Sequence, residues 1–418
     1  MIKRLHTHLP KILVLGDQAV VSASAFLTNI IVARALGISN YGQFSAIVLI
    51  QLFLMSLQQA GSSGIYQVML ARFDAATQQR YTSGLFYLQL TIYLSLSLIA
   101  LLLFWLMPAV VRGYEQVFFA AVCGTGLYLL QDFLRKVLLT QRKEAKALGV
   151  DIITNFFQLL LLAYLAWNGR LTLILTCWVI SLTFLPSVIT GIVWIRPGRW
   201  SSGNIRFALD LHKKQSGWML LSALLQWFAG NFFVVAAGWW LGAAALGALR
   251  LAQYIFGLLN VLLQAVENYA LPAASRLCDD AKAFRGFIRN VLLKSFLAMA
   301  PVLLLVTLFA KQLLLLSGGP SYAGYVYVMY GLVANYVIIV SGLPIRIALR
   351  VKLLNQHYFI GYLIATAFSL LTARWLIGGW ALTGVLTGLF VTQVLVVGYW
   401  LIILNRKKVF TWKLFTSY

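Results

Sequence analysis

The chain has 418 residues, of which 61% are hydrophobic and 10% charged, with a mean hydropathy of +0.86 and a formal net charge of +23. So apolar a composition at this length excludes an ordinary water-soluble enzyme or binding module. The positive charge would suit nucleic acid, but it falls in alternate loops between apolar runs, so a membrane protein is expected and a nucleic-acid partner is not.

Twelve apolar stretches follow in chain order: about 10–36, 42–69, 84–108, 116–138, 150–168, 171–195, 216–241, 243–268, 290–311, 323–345, 358–376 and 380–405. Each reads as a transmembrane helix, because a lipid-exposed backbone must satisfy its own hydrogen bonds. Uncharged runs such as Gly84 to Met107 exceed the ~20 residues that cross a bilayer and lack the alternation of barrel strands. The basic first residues and the apolar run after them have the outline of a signal peptide. That run continues to Ala33 without a convincing cleavage site, and it reads as a retained span.

Lys and Arg total 33. With the N-terminus in the cytoplasm, Arg34, Arg112, Arg170, Arg250, Lys311 and Arg374 fall on the outer side and the other 27 on the inner side. This asymmetry places both termini in the cytoplasm. The outer loops are short, which argues against an integral-membrane glycosyltransferase or polymerase holding its catalytic groups there. No P-loop and no cluster of acids is present, so no catalytic constellation is expected. Cys123 and Cys177 lie in apolar segments and Cys278 in a charged loop, without disulfide or zinc spacing. The four histidines (His6, His8, His212 and His357) lie outside the spans, and neither metal nor cofactor is expected.

Leu36-Gly37-Ile38-Ser39-Asn40-Tyr41-Gly42 returns 205 residues later as Leu241-Gly242-Ala243-Ala244-Ala245-Leu246-Gly247, and Gln59-Ala60 returns at the same offset as Gln264-Ala265. The turn Asn168 to Arg170 matches Arg374 to Gly379, and the basic loop Gln141 to Leu148 matches Arg346 to Gln356. The expected architecture is all-α: two homologous six-helix bundles, 1–195 and 216–418, around a central cleft. A cytoplasmic linker, 196–215, joins them, includes Pro197-Gly198 and Ser201-Ser202-Gly203, and is read as a loop with room for a short surface helix.

Polar groups inside spans are costly and need a reason. In the eighth span Arg250, Gln253, Gly257, Asn260, Gln264 and Glu267 recur at intervals of 3, 4, 3, 4 and 3, which places them on one helix face. The stripe runs 17 residues, roughly 26 Å at the helical rise. It lines either a transport cavity or a helix–helix contact. Gln18, Ser22, Ala25 and Asn29 form a weaker stripe in the first span, and Gln51, Gln58, Gln59 and Ser62 are polar positions in the second. Their amides and hydroxyls suit sugar hydroxyls or neighbouring helices. Asp17 is either a proton-coupling carboxylate or a locally paired acid near the inner interface. Arg34 and Arg250 either hold a phosphate or snorkel to headgroups. Arg135 and Lys136, after Asp132, either meet a lipid pyrophosphate or set topology. Trp239, Trp240, Trp375 and Trp380 read as interface anchors, and Tyr41 and Phe44 suit the same belt.

The run Ala33-Arg34-Ala35-Leu36-Gly37-Ile38-Ser39-Asn40-Tyr41-Gly42-Gln43-Phe44 resembles the Ala-Arg-x-Leu-Gly-x-x-x-Tyr-Gly-x-Phe signature of polysaccharide-export proteins. These are the Wzx-type oligosaccharide-lipid (O-antigen and polysaccharide) flippases of the multidrug/oligosaccharidyl-lipid/polysaccharide (MOP) exporter superfamily. The resemblance implies an undecaprenyl-pyrophosphate-linked oligosaccharide as substrate, moved outward through a cleft that opens to either side, driven by an ion gradient. It implies membrane lipids as surroundings, and a polysaccharide polymerase and glycosyltransferases as partners. Where relatives often carry an acid before the second Leu-Gly turn, this chain has Asn231, which leaves an amide at that cavity position. The alternatives are an ion-coupled drug antiporter of the same superfamily, the glycosyltransferase or polymerase, and a non-transporting scaffold. Reporter fusions after Arg206 and at Tyr418 are expected to behave as cytoplasmic; a periplasmic reporter active at either point overturns the topology.

Overall fold

A computed structural model describes residues 2–108 and 112–409, and among them regular structure is entirely helical. The reporter position Tyr418 lies outside the described residues. The helices are α1 (2–36), α2 (38–69), α3 (Ala75–Leu106), α4 (Glu115–Thr140), α5 (Glu144–Trp167), α6 (Leu173–Ile195) and α7 (Ser202–Leu241). They continue as α8 (Ala243–Ser275), α9 (Ala281–Leu308), the short α10 (Ala310–Gly318), α11 (Val326–Val351), α12 (355–380) and α13 (382–406). Among the described residues, ten continuous segments are long and apolar enough to cross a membrane, and two of these, of 57 and 52 residues, are each interrupted at one residue, Gly37 and Ala381. Divided there, they give the twelve spans read from the sequence. The nine-residue α10 is too short to add another.

The repeated Leu-Gly turn takes the same backbone conformation twice. Gly37 has φ 72° and ψ 171°, and Gly242 has φ 87° and ψ 177°. That region is open essentially to glycine alone. Other devices recur at nearly the same spacing. Asp74 caps α3 by accepting from the amides of Ala76 and Thr77, and Asp280 caps α9 by accepting from those of Lys282 and Ala283. The Thr77 hydroxyl first, and then these backbone bonds, hold the exposed Asp74 carboxyl below its ordinary pKa. α4 and α11 both end on a left-handed residue, Arg142 and Leu353. In each the next amide reaches back to the helix, Lys143 to the Leu138 carbonyl at 2.9 Å and Leu354 to that of Leu349 at 3.0 Å.

By its packing the chain divides into two units, one of residues up to Leu36 with Ile47–Leu224, the other of Gly37–Ala46 with Leu225–Tyr418. In the second unit the two copies of the turn meet reciprocally. A Cβ on Gly42 would strike the Ala243 backbone, and a Cβ on Gly247 would strike the Ile38 carbonyl. Tyr41 and Phe44, expected in the interface belt, are buried instead. The close approach of these two glycine-bearing helices encloses the rings. Trp239, Trp240, Trp375 and Trp380 are exposed, as interface anchors are.

The last turn also differs from its expected place. The helix continues through Gly378 and Gly379 and breaks at Ala381, with φ 47°. Gly384 then lies on the Leu376 carbonyl, so α13 can fold tightly back on α12 only because that position has no side chain. In the first unit α4 and α6 approach through Gly124 and Gly191, and Ser181 of α6 donates to the Ala120 carbonyl of α4 at 2.7 Å. Small residues and hydroxyls of this kind hold helices together in lipid.

The stretch read as a linker is largely helical and docked. α7 begins at Ser202, and its first turns lie on α3: Arg80 donates to the Asn204 side chain at 3.2 Å, and Gly84 abuts the Asn204 backbone. Ahead of it, Ser83 and Tyr87 hold Gly198. His212 closes the clamp. α2 contains a π turn, Gln59–Ser63, which offsets its hydrogen-bond ladder. The Gly61 carbonyl within that turn lies 2.9 Å from His212 Nδ1, and Tyr81 Oη lies 2.7 Å from Nε2. A carbonyl only accepts, so Nδ1 carries the proton and Nε2 accepts from Tyr81. The neutral ring is thus fully paired.

Burial lowers the His212 pKa below its ordinary value. The stability this gives is present above the unfolded value near ~6.5 and is lost as pH falls through the lower folded value. In detergent, the thermal stability of the purified protein is expected to fall below about pH 6.5. His212→Ala is expected to cost about 1–3 kcal/mol at pH 7.5, from the two lost hydrogen bonds, and to flatten the acid slope. Equal acid slopes in the two proteins would remove His212 from the clamp.

Candidate functional site

α8 displays the predicted stripe in the second unit. Arg250, at 7% exposure, donates to Gln253 Oε1 at 3.0 Å and to Tyr254 Oη at 3.2 Å, and its guanidinium lies 4.9 Å from the Tyr254 ring centroid. Its Nε is buried without a hydrogen bond, and among the described residues no carboxylate pairs with it. Tyr41 lies within electrostatic range of it, so the turn motif and the first polar residue of the stripe share one corner of the unit. Further along α8, Gly257 is half-buried, Asn260 lies beside the Tyr336 hydroxyl, and Gln264 is exposed. Glu267 ends the stripe and is ion-paired with two residues of α11, Arg346 and Arg350.

The first unit holds a second polar web. Arg135 of α4 forms ion pairs with both Asp17 of α1 and Asp151 of α5, and all three are largely buried. Gln131 donates to Asp151 at 2.6 Å. One turn away, Gln58 of α2 donates to Asp132 at 3.3 Å and to the Leu129 carbonyl at 3.1 Å, and accepts from Tyr93 Oη at 2.6 Å. Gln89 of α3 reaches Ser62 of the π turn. Gln51 reaches Thr125 at 3.4 Å. Two carboxylates thus share one guanidinium, with a third carboxylate close by. Beside this web, residues of α2, α3 and α4 line an apolar cavity of about 350 Å³, with Tyr93 and Leu129 among its walls.

The remaining predicted residues separate into two kinds. Asn29 and Asn231 turn their amides onto their own helices, donating to Ala25 at 2.7 Å and Trp227 at 3.0 Å. Gln18, Arg34 and Gln59 are exposed. Sequence reasoning passed over Asp151, Gln131, Tyr93, Tyr254, Arg346 and Arg350 as site residues. Asp151 and the two arginines fall at span ends, where charge is ordinary, so only the fold shows that they turn inward onto partners.

This is the fold of the MOP-superfamily transporters. It is similar to the lipid II flippase MurJ in an inward closed conformation, with a TM-score of 0.73, 13% identity, and coverage of 95% of this chain and 87% of that one. It is also similar to a multidrug resistance MATE family transporter of the MOP superfamily in its inward-facing conformation, with a TM-score of 0.69, 12% identity, and coverage of 94% and 96%. A MOP superfamily transporter from Pyrococcus furiosus gives a TM-score of 0.60 at 12% identity, with coverage of 96% and 95%. The sequence itself gives the narrower assignment: the chain belongs to the family described as polysaccharide biosynthesis protein, which matches residues 31–327. No curated protein sequence matches it.

The Asp17–Arg135–Asp151 group makes a stability prediction. Arg135→Gln leaves two carboxylates buried without their counter-charge and is expected to cost about 3–5 kcal/mol. Removing all three charges together (Asp17→Asn, Arg135→Gln, Asp151→Asn) is expected to recover most of that loss. Thermal melts of the detergent-solubilised proteins measure both, and a triple variant no more stable than Arg135→Gln contradicts the reading.

Proposed function

We propose that this protein flips undecaprenyl-pyrophosphate-linked oligosaccharide from the cytoplasmic to the periplasmic leaflet of the bacterial inner membrane, by alternating access, for surface polysaccharide biosynthesis. In this reading both termini and the 196–215 segment are cytoplasmic, the six-helix halves 1–195 and 216–418 move against one another, and the polymerase and glycosyltransferases act on either side of the transport step. The protein itself makes and breaks no covalent bond. Family membership and the transporter fold support the class.

One observation carries the substrate reading: Arg250, buried in a spanning helix, has a free Nε and no carboxylate partner among the described residues. A guanidinium kept at this cost inside a membrane protein is offset by an anion that arrives with the substrate. Gln253, Asn260 and Gln264 continue from it along the same face and offer amides to sugar hydroxyls. Asp17, sharing Arg135 with Asp151, is the coupling site: uptake of a proton or sodium ion there changes the balance of charge on Arg135. The same carboxylates favour the second reading, an ion-coupled antiporter of small cationic molecules, for which Arg250 would be unhelpful.

The experiment is surface glycan in cells lacking the native gene, with membrane levels checked by blot. Arg250→Lys, which keeps charge but loses the planar fork, is expected to retain partial activity. Arg250→Ala is expected to lose roughly 10–100-fold, as for a lost charged hydrogen bond of about 1.5–3 kcal/mol. Arg250→Glu is expected to be worst, and Gln253→Ala and Asn260→Ala mild. Full glycan from Arg250→Glu at a normal membrane level rejects the anion site.

A further inference from the structure

Glu267 carries the next step, which rests on the lipid-linked reading above. Its carboxylate bridges two guanidiniums one helical turn apart on α11: Oε2 accepts from Arg346 Nη2, and Oε1 from Arg350 Nη1 at 2.8 Å. The group carries one net positive charge. Its arginines are reachable, with side chains 30% and 47% exposed, whereas the carboxylate between them is 14% exposed. Arg346 Nε is buried and makes no hydrogen bond, so one donor of its fork is unused. Beside it stands a loosely held polar face. Tyr362 lies within electrostatic range of Arg346. Gln226 reaches the hydroxyls of Tyr358 and Tyr362 only at 3.5 and 3.4 Å, and Tyr358 stacks on Trp400 with ring centroids 5.1 Å apart.

We propose that Arg346 and Arg350 form a diphosphate subsite which Glu267 occupies as an internal substitute, and that the diphosphate of a polyprenyl-linked substrate binds by displacing it. Two neighbouring guanidinium forks match a diphosphate better than a carboxylate: it brings more oxygens and more charge, and can also use the idle Nε. Glu267 then has two duties. It keeps the arginines paired when no substrate is present, avoiding the cost of unpaired charge in the membrane. It also competes with the diphosphate, so that binding stays weak enough for release. Tyr358, Tyr362 and Gln226 stand where the first sugar, joined directly to the diphosphate, could lie on rings and meet an amide.

The sign of one substitution separates this arrangement from a purely structural ion pair. If Glu267 only stabilises the fold, removing its charge weakens everything; if it competes, removing it tightens ligand binding. The experiment measures affinity for farnesyl diphosphate by calorimetry, on the full-length protein in detergent, with farnesol and inorganic pyrophosphate as controls. Thermal melts establish that each variant is folded. Glu267→Gln is expected to bind farnesyl diphosphate about tenfold more tightly than wild type, equivalent to removing one competing ion pair. Glu267→Asp, which keeps the charge on a shorter stem, serves as the second variant should Glu267→Gln fail to fold, and is expected to tighten binding by a smaller factor. Arg346→Gln and Arg350→Gln are each expected to weaken binding about tenfold or more, and farnesol is expected not to bind.

Unchanged or weaker binding by folded Glu267→Gln or Glu267→Asp overturns the competition. Inorganic pyrophosphate binding as tightly as the lipid overturns a lipid-headgroup site in favour of a soluble-anion site. Wild-type binding that ignores Arg346 and Arg350 rejects this subsite while leaving the lipid-linked reading intact. No binding of farnesyl diphosphate by the wild type or any variant rejects that reading and the subsite with it.

Discussion

Charge within a bilayer has little water to lean on, so an ionised side chain in a span must be answered by another part of the protein or by a ligand. The two units answer in opposite proportions. In the first, one guanidinium, Arg135, is shared by two carboxylates, Asp17 and Asp151. In the second, one carboxylate, Glu267, is shared by two guanidiniums, Arg346 and Arg350. One group is left with negative charge and the other with positive charge. The first is the composition that suits a cation or proton; the second suits an anion. In the proposed function a coupling cation and an anionic lipid each need their own chemistry, and the two separate clusters offer one to each.

Glycine sets the geometry around these clusters. Gly37 and Gly242 turn the chain in a conformation that other residues scarcely adopt, and Gly42 and Gly247 let the two turns approach at backbone distance. Arg250 begins two turns into α8 from this junction, beside the fully buried Tyr41. The junction therefore fixes where the stripe starts. The π turn in α2 does comparable work in the first unit. It presents the Gly61 carbonyl to His212 and Ser62 to Gln89, so that one irregular turn fastens both the start of α7 and a neighbouring helix.

Much of the fold could be read from the sequence. Runs of about twenty apolar residues identify spans almost unaided, and the Leu-Gly repeat marks two interruptions of closely similar conformation. The site was legible only in part. The spacing of Arg250, Gln253 and Asn260 put them on one face because helical periodicity is local. That Glu267 meets Arg346 and Arg350, residues 79 and 83 positions away, is a tertiary fact with no local signal. Asp151 looked like an ordinary charge at a span end and is buried against Arg135. Tyr41 and Phe44 had the composition of interface residues; the glycines beside them, rather than the rings themselves, carried the information that they would be enclosed. Ala381, a non-glycine residue with positive φ, could not be foreseen as the last turn when two glycines stood just before it.

The reciprocity of the turn contact also bears on ancestry. If the halves descend from one duplicated segment, Gly42 facing Ala243 and Gly247 facing Ile38 are a single contact of an ancestral pair written twice into one gene. In a symmetric dimer one substitution alters both sides of such a contact at once. After fusion each side can change alone, but any gain in bulk at either glycine still meets a backbone, which cannot be trimmed by mutation. Divergence from such a pair could therefore proceed freely in the polar clusters, where side chains face side chains, while this junction resists any change in bulk.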